Sequence, residues 1–221
     1  VSVLGGILRI YQITTFPPGI YIDEASIAYN AYSILETGKD EYGVTFPFWF
    51  EAYGEYKLPV YVYATSFFML FIKNPDLAVR LPSALAGIAS IPGIYLLAIT
   101  IFKSDKQKYV VSLTAAFFFA ISPWSLQFSR AGFEANLALF LIILGTALLL
   151  FGLNLKKTWP FIFGFTSFLL SISTYNAARV FVPLLVVTLF IMYLPQIRSK
   201  ARLLLKALII SLVIFLPILP K

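Results

Sequence analysis

Residues 135–153 read ANLALFLIILGTALLLFGL, without a single charged side chain. At 1.5 Å of rise per residue a helix of this length covers the hydrocarbon core of a bilayer, about 30 Å thick. A helix also satisfies every backbone polar group internally, which lipid requires. Runs of the same character occupy 81–102, 109–127, 158–174, 177–194 and 206–219. The chain opens on Val1 inside another, VSVLGGILRIYQI, with neither the charged start nor the cleavage site of a secretory signal, so residues 1–13 are read as the remnant of a span. The pattern predicts an all-α polytopic transmembrane helix bundle, one membrane domain over 1–221 cut from a longer protein at both ends, with no soluble domain.

Composition agrees. Hydrophobic residues are 60% of the 221 positions, charged residues 12%, and the mean hydropathy is +0.87, against the roughly 45–50% apolar share of soluble domains. Cysteine and histidine are absent, which excludes a disulfide framework, a catalytic thiol and an imidazole base. Acid and base chemistry must then come from carboxylates, Lys or Tyr. The net charge of +7 is read as a topology signal rather than as a nucleic-acid footprint, because the basic residues cluster between apolar runs.

Those clusters orient the chain. Lys103, Lys106 and Lys108, then Lys156 and Lys157, then Arg198, Lys200, Arg202 and Lys206 lie in alternate loops and belong on the cytoplasmic side. Residues 128–134 and 174–179 then lie outside, and 14–80 forms one large external loop carrying juxtamembrane helices, the short run 58–72 being interfacial or re-entrant. Eight of the ten acids, Asp23, Glu24, Glu36, Asp40, Glu41, Glu51, Glu55 and Asp76, fall in that loop. Only Asp105 and Glu134 lie elsewhere.

Four short stretches could carry chemistry. Pro17-Pro18-Gly19-Ile20-Tyr21-Ile22-Asp23-Glu24 leads from a Pro/Gly turn into a helix whose apolar positions Ile27, Ala28, Ala31, Ile34 and Leu35 share a face, closed by Gly38. Its acid pair is read either as site carboxylates or as an N-cap with a first-turn acid. Glu55-Tyr56-Lys57-Leu58-Pro59 places an ammonium at headgroup depth, suited to a lipid phosphate or to plain snorkelling. Ser129-Arg130-Ala131-Gly132-Phe133-Glu134 holds two ionisable groups at membrane depth, either functional or paired with each other. Tyr175-Asn176-Ala177-Ala178-Arg179 sets a cation on the side where positive charge is disfavoured, so Arg179 needs a carboxylate or an anionic substrate as partner. Arg80 can be read the same two ways.

The order of these elements, an outer Asp-Glu after the first span, a Lys-x-Pro opening an amphipathic helix, Ala78-Val79-Arg80-Leu81-Pro82-Ser83-Ala84-Leu85-Ala86-Gly87 and then Ser-Arg-(x)3-Glu, resembles the GT-C glycosyltransferases, in particular the protein O-mannosyltransferase and lipid A aminoarabinose transferase branch. The resemblance spans nearly the whole chain. It implies a bundle of spanning helices with a catalytic acid in the first external loop, a polyprenyl-phosphate sugar as donor, and a glycan, lipid or protein as acceptor. Carried over by position, Asp23 matches the catalytic acid, Glu24 its usual neighbour, Glu134 a second acid of the next external loop, and Lys57 the residue on the donor phosphate, within Lys-Leu-Pro rather than Lys-Pro-Pro. Arg179 matches a Tyr-x-Ala-Ala-Arg element of bacterial members. The implied reaction is an inverting displacement with Asp23 as general base and Lys57, helped by Arg130 or Arg179, stabilising the phosphate.

These residues point to no cofactor for certain. A divalent metal held by Asp23 and Glu134 stays open, since two carboxylates without His do not decide it. The implied place is the plasma (inner) membrane, with the active site facing the periplasm or exterior and no nucleic-acid partner. The rival readings are a transporter or flippase of a lipid-linked sugar, which predicts acids near the bilayer midplane, and a non-catalytic membrane scaffold.

Overall fold

The computed structural model describes residues 1–102, 106–155 and 157–216. The helices and the one small hairpin follow in order: α1 (Ser2–Ile10), α2 (Ile22–Thr37), β1 (Phe50–Ala52), β2 (Glu55–Lys57), α3 (Pro59–Met69), α4 (Pro75–Ile101), α5 (Lys108–Ile121), α6 (Pro123–Arg130), α7 (Glu134–Leu153), α8 (Trp159–Ile172), α9 (Ala178–Met192), α10 (Leu194–Ser199) and α11 (Ala201–Phe215). This is the expected all-α membrane bundle. Lys103, Asp105, Lys156 and residues 217–219 of the last expected span lie outside the described residues.

The spans differ from expectation in number and length. Among the described residues α4 and α7 are long and apolar enough to cross a bilayer, and α5 with α6 makes a third if the pair is one span bent by 55°. The bend falls at Ser122-Pro123, where proline supplies no N–H to continue the ladder. At 14 and 15 residues, α8 and α9 reach only about 21–23 Å. The opening run is helical over just nine residues. Helix α4 begins at Pro75, capped by the Asn74 side chain, so the last residues of the expected external loop already belong to a span. The 11-residue α3 extends about 16 Å and lies short of a crossing, as expected for an interfacial segment.

Small residues let the central helices approach. A Cβ added at Gly145 of α7 would meet Phe168 at 2.7 Å and the Gly164 carbonyl of α8 at 3.1 Å, the close packing that holds helices together where lipid offers no hydrophobic drive. Polar side chains add cross-links: Asn136 donates to the Ser83 carbonyl at 2.8 Å, Ser83 to that of Phe128 at 2.8 Å, and Ser171 to that of Ala138 at 3.2 Å.

The external lobe packs on α4. Ile27, Ala28, Ala31 and Ile34 of α2 are buried with Phe50, Tyr61, Val62 and Val79, and Tyr61 donates to the Val79 carbonyl at 2.8 Å. Gly38 ends α2 at φ +71°, the left-handed cap expected of glycine. The two ends of the bundle differ in chemistry. At one end Lys200 donates to the carbonyls of Gly152 and Leu155, beside a small cavity of about 120 Å³ lined by Ile101, Asn154, Tyr193 and Gln196. At the other end the acidic lobe meets the α6–α7 and α8–α9 turns.

Candidate active site

Lys57 sits at the centre of that second end. Alternation along β2 puts Glu55 and Lys57 on one face, opposite Ala52 and Phe50 of β1, and the connecting Tyr53 and Gly54 both take positive φ, 49° and 85°, as a tight hairpin turn requires. The strand then runs into Leu58-Pro59, with proline in the first turn of α3. The Lys57 side chain is therefore fixed at both its flanks, and it is only 9% exposed.

Three carboxylates converge on its ammonium: Glu55 at 2.6 Å, Asp23 at 3.0 Å and Glu134 at 3.6 Å. Asp23 stands in the first turn of α2 and Glu134 opens α7. They line a cleft of about 390 Å³ together with Phe133, Tyr175 and Asn176. The α8–α9 turn is fastened to it, since Asn176 donates to the Tyr56 carbonyl at 3.3 Å and Val60 N–H to that of Ser173 at 3.3 Å. Burial disfavours the Lys57 ammonium, but the hydrogen bond it donates to Glu55, the charge of Glu134, and the hydrogen bond to and charge of Asp23 outweigh it and hold the group above the ordinary lysine range. Lys57 is a cation here and not a base.

Glu24 lies apart from the cleft. It is fully buried and saturated: its carboxylate accepts from Arg80 Nε at 2.9 Å and Nη2 at 3.2 Å, from Gly132 N–H at 2.7 Å and from Tyr21 N–H at 3.0 Å. With every lone pair aimed at a protein donor, it has none left for a substrate. Arg80, open to two readings in the sequence, is its partner, and it also donates to the carbonyls of Ile13 at 2.8 Å, Pro17 at 3.1 Å and Gly19.

Arg130 does not line the cleft either, nor is it paired with Glu134. It donates to the carbonyls of Leu8 at 2.7 Å, Tyr11 at 2.9 Å, Phe16 at 3.0 Å and Gln12 at 3.3 Å. Two guanidiniums thus hold the segment that runs from α1 to Asp23 by its backbone. Arg179 is exposed and donates to the Ile172 carbonyl at 3.4 Å; its neighbours 175–177 line the cleft, but it does not.

The donor set does not fit a divalent metal. Among the described residues no group of three His, Cys, Asp or Glu side chains is placed to hold a metal ion: the carboxylates of the cleft close on the ammonium of Lys57, which lies within 4 Å of the Asp23 and Glu134 oxygens that would have to bind one.

Sequence reasoning passed over Glu55, although its i, i+2 spacing from Lys57 on a strand was the available signal. It also passed over Tyr175, Asn176 and Phe133, whose approach depends on how the spans pack.

Comparisons with curated proteins and with solved structures give no match. One family model, described as dolichyl-phosphate-mannose-protein mannosyltransferase, matches residues 57–220, beginning at the central lysine and taking in Glu134, Arg130 and Arg179 but stopping short of Asp23. An apolar helical bundle with a cation and three carboxylates gathered at one end suits that match, and it covers more than half of the chain: the protein belongs to this family and is an integral membrane glycosyltransferase.

Proposed function

We propose that the cleft transfers a sugar from a polyprenyl-phosphate donor to an acceptor hydroxyl, with inversion at the anomeric carbon. The observation that carries the proposal is the contact of Asp23 with Lys57 at 3.0 Å in an open cleft: a carboxylate free to take a proton stands beside a cation free of any catalytic proton duty. Asp23, 44% exposed at its side chain, removes the proton of the acceptor hydroxyl. The acceptor oxygen forms its bond to the anomeric carbon, the bond from that carbon to the phosphate oxygen breaks, and the electron pair leaves with the phosphate. Lys57 stabilises the charge that gathers there, the kind of preorganised electrostatic contribution that is commonly the largest in catalysis. Glu134, at the mouth of α7, orients the acceptor.

The family's description makes mannose the first sugar to test and a protein the first acceptor. The side of the membrane follows from charge: Lys106, Lys108, Lys157, Arg198, Lys200 and Arg202 lie among the turns of the opposite end, so the cleft faces away from the cytoplasm.

The test is transfer of radiolabelled mannose from a polyprenyl phosphate in membranes expressing the protein, wild type against Asp23→Asn. Transfer is expected to fall by about 10²-fold or more, the usual weight of a general base. Equal transfer in both at equal expression would assign the base elsewhere.

A further inference from the structure

An ammonium has three N–H donors; in Lys57 Glu55 and Asp23 stand within hydrogen-bond distance at 2.6 and 3.0 Å, and Glu134 is an ion-pair neighbour at 3.6 Å. A donor phosphate approaching Lys57 therefore meets three carboxylates already within 4 Å of the ammonium. A fourth anion added to three carboxylates and one cation would also meet net repulsion. One carboxylate has to leave.

The three are not equally free to do so. Asp23 follows directly on the turn held by Arg80 and precedes Glu24, whose carboxylate is locked to Arg80 and Gly132. The Glu134 side chain is 14% exposed, at the first position of a 20-residue helix. The Glu55 side chain is 60% exposed and stands on a three-residue strand beside the Tyr53-Gly54 turn. A rotation about its own side-chain bonds carries it into water, where its charge is solvated at little cost.

We propose that Glu55 is the resting counter-ion of Lys57, the carboxylate that the donor phosphate displaces, and so the residue that sets the affinity for lipid-linked phosphate. This rests on the donor role given to Lys57 above. The exchange conserves charge: a glycosyl phosphodiester carries one negative charge, as Glu55 does. After transfer the departing phosphate is a monoester with nearly two, and the returning Glu55 carboxylate opposes it more strongly than it opposes the donor. Glu55 thereby favours release of product over release of donor.

The test is equilibrium binding to the purified protein in lipid nanodiscs, with two probes: undecaprenyl phosphate, a monoester, and mannosyl-phospho-undecaprenol, a diester. Glu55→Gln removes the charge and keeps the shape, and it should tighten the monoester by about tenfold and the diester by about threefold, as expected for one like charge lost from a partly exposed site. Glu55→Asp keeps the charge and should bind both within about twofold of wild type, the range of a contact shifted without loss of charge. Unchanged or weaker binding of both probes by Glu55→Gln, while Lys57→Met still weakens binding, would overturn the counter-ion role alone. No effect of Lys57→Met on either probe would overturn the phosphate role of Lys57 and the inference with it.

Discussion

The backbone N–H of Gly132 donates to Oε1 of Glu24 at 2.7 Å, across 108 residues of chain. Arg80 holds the same carboxylate from the other side. One buried acid thus joins the turn that carries Asp23, the first turns of α4, and the approach to α7 that carries Glu134. The two carboxylates of the cleft are placed relative to each other by a third that never reaches it.

Glu24→Gln leaves the Arg80 guanidinium, 1% exposed, without its counter-charge. Removing one partner of a buried pair costs about 3–5 kcal/mol. Transfer should be lost together with a lower midpoint of thermal unfolding in detergent. An inactive Glu24→Gln protein that unfolds like wild type would instead return Glu24 to the chemistry.

Gly132→Ala brings a Cβ to 3.0 Å from the Val79 carbonyl and 3.1 Å from Cγ of Glu24. Both contacts are too short by a few tenths of an ångström, and with one neighbour a helix carbonyl and the other held by four donors the α6–α7 turn yields. A 1 Å misplacement of a reacting group costs about 10²-fold in rate, so a shift of tenths costs about tenfold or less. The kcat should fall while the donor KM changes little, measured by initial rates over a range of donor concentrations.

Arg130→Ala and Arg179→Ala separate the clamp from the bystander. Without Arg130 the segment of residues 8–16 loses the donor to four carbonyls, and kcat should drop by about tenfold through misplacement of Asp23. Arg179, exposed and outside the cleft, should leave the donor KM within about twofold, the scale of a surface charge. A large rise in donor KM for Arg179→Ala would bring it back as a phosphate ligand.

The raised pKa of Lys57 has a definite sign in stability. Its folded value lies above the ordinary 10.5, so the stabilising contribution is complete below 10.5 and disappears as pH rises through the folded value. The difference in thermal midpoint between wild type and Lys57→Met should shrink as pH is raised into strong alkali, and a difference that stayed constant there would remove Lys57 as its source.

Much of this was legible in local sequence because the governing interactions are local. The helix after Asp23 and its Gly38 cap followed from 3.6-residue spacing and from the left-handed backbone that glycine tolerates. The long uncharged run 135–153 became α7 nearly to the residue. The stretches around residues 23, 57, 134 and 175–177, singled out in the sequence, do gather at one cleft. Span length was less legible, because hydropathy does not register where Pro123 interrupts the ladder or where α8 and α9 stop.

By itself the sequence determined that lipid is this protein's main solvent, that acid and base chemistry must come from carboxylates, Lys or Tyr, and that the acids crowd into one loop of a helical bundle. Only the tertiary structure decided which ionisable groups face the cleft and which serve the scaffold. Asp23 and Glu24 are adjacent on one helix turn, yet one meets Lys57 in the cleft and the other is buried against Arg80. Arg130 and Arg179 carry the same guanidinium, yet one binds the backbone near α1 and the other faces outward. The reason is that a charge takes its role from the partners that desolvate and pair it, and here those partners lie on segments up to 122 residues away along the chain.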